Sequence, residues 1–279
     1  MHKSLYIFLL LIFTSPVYAF DIYNSVSWKN AIDKDGNTIN NYNSTKKLIN
    51  SHGLKHIRIY YHKSFLTDGK PDHHKIQRIA LLSRQNPEFP ISFDIEIGNN
   101  NKPETVLPTV IEVLDLYHYY GGKAPVGVYA LLPQNTYGGI NATKNPEKYV
   151  NLNKKYELIA SKVDFLSPVF YNYDTEYNLW KSSVDLGMKE AKKYASKYNL
   201  KILPYFSISY FTRERSGKVI YITPLGQEET TKRLSYLKSK GASGVIIWDS
   251  SNYNQKDGSK PIANINQGWL KGTINFIKK

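Results

Sequence analysis

Short apolar runs of β type alternate with longer stretches of helical periodicity along most of the chain. The apolar runs are FDIYNSV at 20–26, HIRIYY at 56–61, FPISFDI at 89–95, PVGVYALL at 125–132, VDFLSPVF at 163–170, KILPYFSI at 201–208 and SGVIIWD at 243–249. Most are apolar on both faces, the pattern of parallel strands covered by helices. Between them lie the helical candidates NSTKKLINSHG, DHHKIQRIALLSRQ, KPETVLPTVIEVLDLYHYYG, PEKYVNLNKKYELIASK, LWKSSVDLGMKEAKKYASKYN and TPLGQEETTKRLSYLKSKG, and QGWLKGTINFIKK closes the chain as a further helix. Ser182 and Ser183 supply polar helix starts, Gly53 and Gly241 stand where a left-handed cap belongs, and Lys238 and Lys240 suit a C-terminal turn.

Strands that alternate with single helices leave two folds, an open doubly wound sheet or a closed barrel. No glycine-rich phosphate loop follows any run, whereas polar and aromatic residues gather at strand C-terminal ends, where a barrel assembles its site. Seven strands are clear, and an eighth is weak because SSNYNQKDGSK, which follows Trp248 and Asp249, is polar. The expected fold class is therefore α/β, a distorted TIM-type barrel of (β/α)7 form. No repeat, low-complexity tract or linker divides residues 20–279, which read as a single catalytic domain acting as a monomer.

The N-terminus changes the expected location. MHKSLYIFLLLIFTSPVYAF has a short polar start, an apolar run too short for a membrane span, and small Ala19 before Phe20, so residues 1–19 read as a signal peptide. The protein is expected to be secreted or periplasmic, with no membrane insertion. About 260 residues then remain, enough for one large core, and with no Cys in the chain stability must come from that core rather than from disulfides. Lys and Arg total 37 against 23 Asp and Glu, a net charge of +14 that favours polyanionic partners. The lysines are dispersed, as in KYVNLNKKYELIASK, so they read equally well as solvated helix faces; dispersal and export together speak against nucleic acid.

The candidate chemistry begins at FDIE. Side chains two apart on a strand share a face, so Asp94 and Glu96 both turn inward if Asp94 is the last regular position and Glu96 the rim. Two close carboxylates, one of them poorly solvated, raise one pKa and keep a carboxyl group protonated for general acid catalysis. The plainer alternative is a solvated Glu96 beside an Asp94 that caps a backbone group or pairs with a core Lys or Arg. At the other strand ends stand Tyr129, Tyr137, Tyr171, Tyr173, Tyr205 and Trp248. One tyrosine among 23 means little, but several on one rim with a tryptophan suit a carbohydrate cleft, where aromatic faces cover sugar rings. Trp248 could instead plug the barrel core. No HExxH or other dense ligand motif is present, the paired His73 and His74 read as surface residues at a helix start, and neither metal nor organic cofactor is expected.

GASGVIIW at 241–248, FDIE at 93–96, GVYALLPQNTY at 127–137, SPVFY at 167–171, LPYF at 203–206 and IRIYY at 57–61 together resemble, in order and spacing, segments of the hyaluronidase family. These are endoglycosidases that cut hyaluronan, and often chondroitin, at N-acetylhexosamine β-linkages. The resemblance implies a distorted seven-stranded barrel, with Glu96 as general acid/base and Asp94 orienting the substrate acetamide. It further implies that Tyr171 supports the acetamide, Tyr137 lines the cleavage subsite and Trp248 forms its wall. The chain departs from the family pattern after Glu96, where Ile97-Gly98-Asn99 replaces aromatic and Arg residues, at Phe206-Ser207, where Thr-Arg would fall, and at Asp249, usually small or neutral. Tyr129, Tyr173, Tyr205 and Asp249 are further candidates for substrate contact, and the expected partner is an acidic polysaccharide. Other readings are a glycosidase of another N-acetylated glycan such as peptidoglycan, or an inactive glycan-binding barrel.

Overall fold

The computed structural model describes residues 20–214 and 216–279; the expected signal peptide lies outside the described residues. Seven principal strands run β1 (Asp21–Val26), β2 (Arg58–Tyr61), β3 (Ile91–Asp94), β4 (Val126–Val128), β5 (Val169–Asn172), β6 (Tyr205–Arg213) and β7 (Gly244–Asp249). The principal helices are α1 (Tyr42–Asn50), α2 (His73–Gln85), α3 (Leu107–Tyr119), α4 (Pro146–Lys155), α5 (Tyr177–Tyr198), α6 (Gln227–Ser239) and α7 (Gly268–Ile277).

The strands close into a ring in chain order. Strand β1 pairs in parallel with Lys55–His56, the segment leading into β2; β2 pairs with β3, and β3 with β4. A parallel bridge between Tyr129 and Ser167, with Asp164 N donating to Val126 O at 2.7 Å, carries the ring from β4 to the β5 segment. Strand β5 pairs with β6, β6 with β7, and β7 returns to β1 over six aligned residues from Asp21↔Gly244 to Val26↔Asp249. The fold is thus a seven-stranded β/α barrel. Val245, Ile246 and Ile247 are fully buried, as a strand with packed side chains on both faces requires. Each such side chain contributes about 1.5–3 kcal/mol by leaving water.

Proline accounts for the largest departures from regular strands. The runs VDFLSPVF and KILPYFSI each divide in two, Phe165–Leu166 before Pro168 and Lys201–Ile202 before Pro204, because proline offers no ladder N–H. Beyond the barrel, β6 continues into an antiparallel hairpin with Val219–Pro224 that the sequence pattern does not predict. The polar stretch after β7 is a loop, and the short strand Ile262–Asn264 pairs with Asn30–Ile32 outside the ring.

Helix ends follow the expected chemistry with one correction. Gly53 and Gly241 adopt φ of +94° and +85° just beyond α1 and α6, the left-handed region that glycine enters without a Cβ penalty. Ser182 and Ser183 do not start a helix: α5 begins a turn and a half earlier at Tyr177, and both serines lie inside it. The extra turn buries Trp180, whose indole N–H donates to Phe170 O at 3.1 Å, and that anchoring outweighs the local preference of serine for a cap. His73 and His74 are the first residues of α2 and exposed. No helix among the described residues is long and apolar enough to cross a membrane.

Candidate active site

Strand β3 builds the centre of the site. Phe93 is fully buried against Phe65 and Tyr117, with ring centroids 5.0 and 5.9 Å away, and so faces the helical layer. Alternation then turns Asp94 to the barrel interior as the last regular residue. Asp94 is 8 % exposed, and its Oδ1 has no hydrogen-bond partner among the described residues. Burial, and after it the charge of Glu96, pushes its carboxyl up to about 7. Neither a capping hydrogen bond nor an ion pair holds Asp94 among the described residues. Glu96, exposed at the rim, opens into the same cleft. The chain turns away directly afterwards at Gly98, with φ +63°, where any Cβ would run into the Thr105 carbonyl.

The cleft has a volume of about 980 Å³ and lies at the C-terminal ends of the strands. Its wall is a stack: Tyr171, at the end of β5, and Trp248, at the end of β7, lie 5.1 Å apart with planes inclined by 16°. Trp248 is half-buried rather than a core plug, and its indole N–H reaches Tyr61 Oη at 3.5 Å. Tyr129 and Tyr205 form the floor, edge to face at 4.9 Å. Burial pushes the hydroxyls of Tyr129, Tyr171 and Tyr205 well above the usual phenol range, so all three are neutral hydrogen-bonding groups at any physiological pH. Tyr173 extends the wall, accepting from Asn135 Nδ2 at 2.9 Å and packing 5.9 Å from Tyr137. Tyr137, 62 % exposed with φ +53°, projects from the rim. That loop is anchored from below: Gln134 N donates to Asn153 Oδ1 of α4 at 2.8 Å, and Tyr137 N to Asn135 Oδ1 at 2.8 Å.

The structure thus brings Asp94, Glu96, Tyr129, Tyr137, Tyr171, Tyr173, Tyr205 and Trp248 into one cleft. It does not bring Asp249 there, which corrects the expectation of substrate contact. Neighbours on a strand face opposite ways, so with Trp248 in the cleft Asp249 turns to the layer behind it. There it is fully buried, accepting from Ser209 Oγ of β6 and from Ser250 N at 2.7 Å. Desolvation, partly offset by those bonds, pushes its carboxyl up to about 7.

Several cleft residues were not singled out from the sequence. Tyr61, at the end of β2, was open to the argument that found Trp248, an aromatic residue closing an apolar β run. Phe211 and Arg213 reach the cleft only because β6 overruns the barrel into its hairpin; the Arg213 guanidinium lies 5.7 Å from the rings of both Tyr173 and Phe211. Asn99, Asn100 and Asn101 come from the loop after β3 and Lys148 from the first turn of α4, with no local signal to join them. Among the described residues no group of three or more His, Asp or Glu side chains could hold a metal ion.

No model of a protein family matches the sequence, and no curated protein matches it. Solved structures align with much of its length. Bee venom hyaluronidase, solved with a hyaluronic acid tetramer, is 15% identical with a TM-score of 0.41, covering 84% of this chain and 79% of its own. A class V chitinase from Pseudomonas fluorescens Pf-5 is 10% identical with a TM-score of 0.48, covering 94% and 100%. The spore cortex-lytic enzyme SleL of Bacillus megaterium QM B1551 is 9% identical with a TM-score of 0.47, covering 94% and 75%.

Proposed function

We propose that this protein is a glycoside hydrolase, an endo-β-N-acetylhexosaminidase that hydrolyses hyaluronan or a chondroitin-type glycosaminoglycan with retention, using the substrate's own acetamide as nucleophile. The observation that carries the reading is the pair Asp94 and Glu96 from one strand end, opening into a cleft walled by the Tyr171–Trp248 stack.

A retaining glycosidase with an enzymic nucleophile sets its two carboxyl groups on either side of the bond to be cut. Here both acids issue from the same strand end, on the same side of the cleft, an arrangement suited to one proton donor and one positioner. With its carboxyl pushed up to about 7, Asp94 holds a proton up to about neutral pH. When the acetamide N–H donates to Asp94, that carboxyl becomes an acceptor and the proton passes to Glu96. Glu96 then protonates the glycosidic oxygen while the acetamide carbonyl oxygen attacks the anomeric carbon, forming a cyclic intermediate and releasing the leaving sugar. Asp94 stabilises the positive charge of that ring, and Glu96, now a carboxylate, takes a proton from the water that opens it. Tyr171 offers a neutral hydroxyl toward the acetamide, and Trp248 covers an apolar sugar face.

The basic surface supports an acidic polymer, since +14 of formal charge raises the local concentration of a polyuronate. Removal of residues 1–19 would deliver the enzyme outside the cytoplasm, where such polymers lie. The test is incubation with hyaluronan, chondroitin, chondroitin sulfates, chitin and peptidoglycan, followed by mass spectrometry. Saturated even-numbered oligosaccharides from a glycosaminoglycan are expected. Muropeptides without glycosaminoglycan fragments would reassign the substrate, and no turnover of any polymer would overturn the enzymatic reading.

A further inference from the structure

Beyond Glu96, the cleft has an end that the catalytic mechanism does not use. Its lining there is amides and one ammonium: Asn99, Asn100 and Asn101 from the loop after β3, and Asn141, Asn145 and Lys148 from the short helix Gly139–Lys144, the residue after it and the start of α4. The loop after β3 is tied to the far end of α4. Tyr156, fully buried at the end of α4, donates its hydroxyl to Asn100 O at 3.2 Å. Asn99 N donates to Thr105 Oγ1 and Asn101 N to Asn99 Oδ1, both at 2.9 Å, and Asn141 Nδ2 donates to Thr136 O at 2.9 Å. The backbone and part of the amide set are thereby held, whereas among the described residues the Asn100 side chain and the Lys148 ammonium have no hydrogen-bond partner that would keep them from a ligand.

Lys148 is exposed, extends over the Tyr149 ring at 5.6 Å, and pairs with no carboxylate among the described residues. Arg213, the other cation in the cleft, is occupied differently: it donates to Gly217 O at 2.6 Å and lies over aromatic rings.

We propose that this end of the cleft is a uronate subsite in which Lys148 pairs with the sugar carboxylate and Asn100 bonds its hydroxyls, making Lys148 the residue that selects an acidic over a neutral glycan. The inference rests on the hexosaminidase reading above and names the neighbour of the sugar that is cut. Amides donate and accept at once, as ring hydroxyls require, while an ammonium with no internal partner gains most from a ligand that brings its own anion.

The experiment compares wild type, Lys148→Met and Asn100→Asp on hyaluronan and on the same polymer with its carboxyl groups reduced to alcohols, with Lys278→Met controlling for net charge. Lys148→Met is expected to raise KM for native polymer roughly 3- to 10-fold, with kcat little changed, as loss of a partly exposed ion pair allows. Its KM for reduced polymer should match wild type. Asn100→Asp, which sets an anion against the uronate, should raise KM further on native polymer alone, and Lys278→Met should do neither. An unchanged KM for native polymer, or an equal rise on both, would overturn the subsite. Wild-type cleavage of chitin oligosaccharides but not of hyaluronan or chondroitin would also overturn it while leaving the hexosaminidase reading intact; cleavage of neither would remove that reading itself.

Discussion

Two aspartates of this molecule are alike in number and unlike in use. Asp94 ends β3 and Asp249 ends β7; both are buried, and in both desolvation lifts the carboxyl to about 7. Asp249 is met by Ser209 Oγ and Ser250 N, so its site is complete without a ligand. Asp94 has an oxygen with no partner among the described residues, and the next charge along the same face is another carboxylate. A buried polar atom left unpaired costs about 1–3 kcal/mol, a cost that the substrate's acetamide N–H would remove under the proposed function. A raised pKa alone therefore does not distinguish the two aspartates, whereas the state of their hydrogen bonds and the opening of one of them into the cleft do.

Glu96→Gln should have the largest effect, lowering kcat roughly 10²- to 10⁴-fold because the donor and the later base are lost together. Oligosaccharide affinity measured by calorimetry should survive; if turnover survives instead, the acid has been misassigned. Asp94→Asn is expected next, at about 10²-fold or more in kcat, since an amide can neither pass on the proton nor stabilise the cyclic intermediate. In wild type, kcat/KM should fall as pH rises through about 7, where Asp94 loses its proton. A flat profile from pH 6 to 8 would contradict a shared proton.

Trp248→Ala should weaken oligosaccharide binding by an amount on the order of 1–2 kcal/mol, the stacking area lost from the wall, which a titration of the inactive Glu96→Gln protein can read. Asp249→Asn should matter least to turnover, staying within a few-fold of wild type, and most to the pH dependence of stability. The folded pKa, about 7, lies above the value of 3.8 expected of the unfolded chain. Between those values the folded state holds a proton that the unfolded state has lost, so this group's contribution to stability falls as pH rises from about 4 to about 7. The Asn variant escapes that loss. Urea denaturation should find it more stable than wild type at pH 8, by a margin on the order of a few kcal/mol at most, and no more stable at pH 4. Asp94→Asn should share this stability gain but not the activity, which completes the contrast.

The distribution of apolar residues made most of the barrel legible. Runs apolar on both faces, such as GVIIW, can lie only between layers, and seven of them separated by helices close naturally into a ring. The eight cleft residues proposed from strand ends were found because a barrel collects its strand ends on one face, so position along a strand stands in for position in space. The same reasoning misplaced Asp249: one residue of register turns a side chain to the opposite face, and strand composition does not show where the last rung falls. It also misplaced the start of α5, where burial of Trp180 outweighed two serines.

By itself, then, the sequence determined the alternation of strand and helix, which a closed β/α ring satisfies, and the shared face of Asp94 and Glu96, because these depend on periodicities of 2.0 and 3.6 residues that the chain carries locally. Only the tertiary structure decided which aspartate has an oxygen without a partner among the described residues, that the β6 hairpin brings Phe211 and Arg213 to the cleft, and that Asn100 and Lys148 line the same cleft. Those outcomes depend on contacts between residues tens of positions apart, where packing and desolvation outweigh any preference of the local chain.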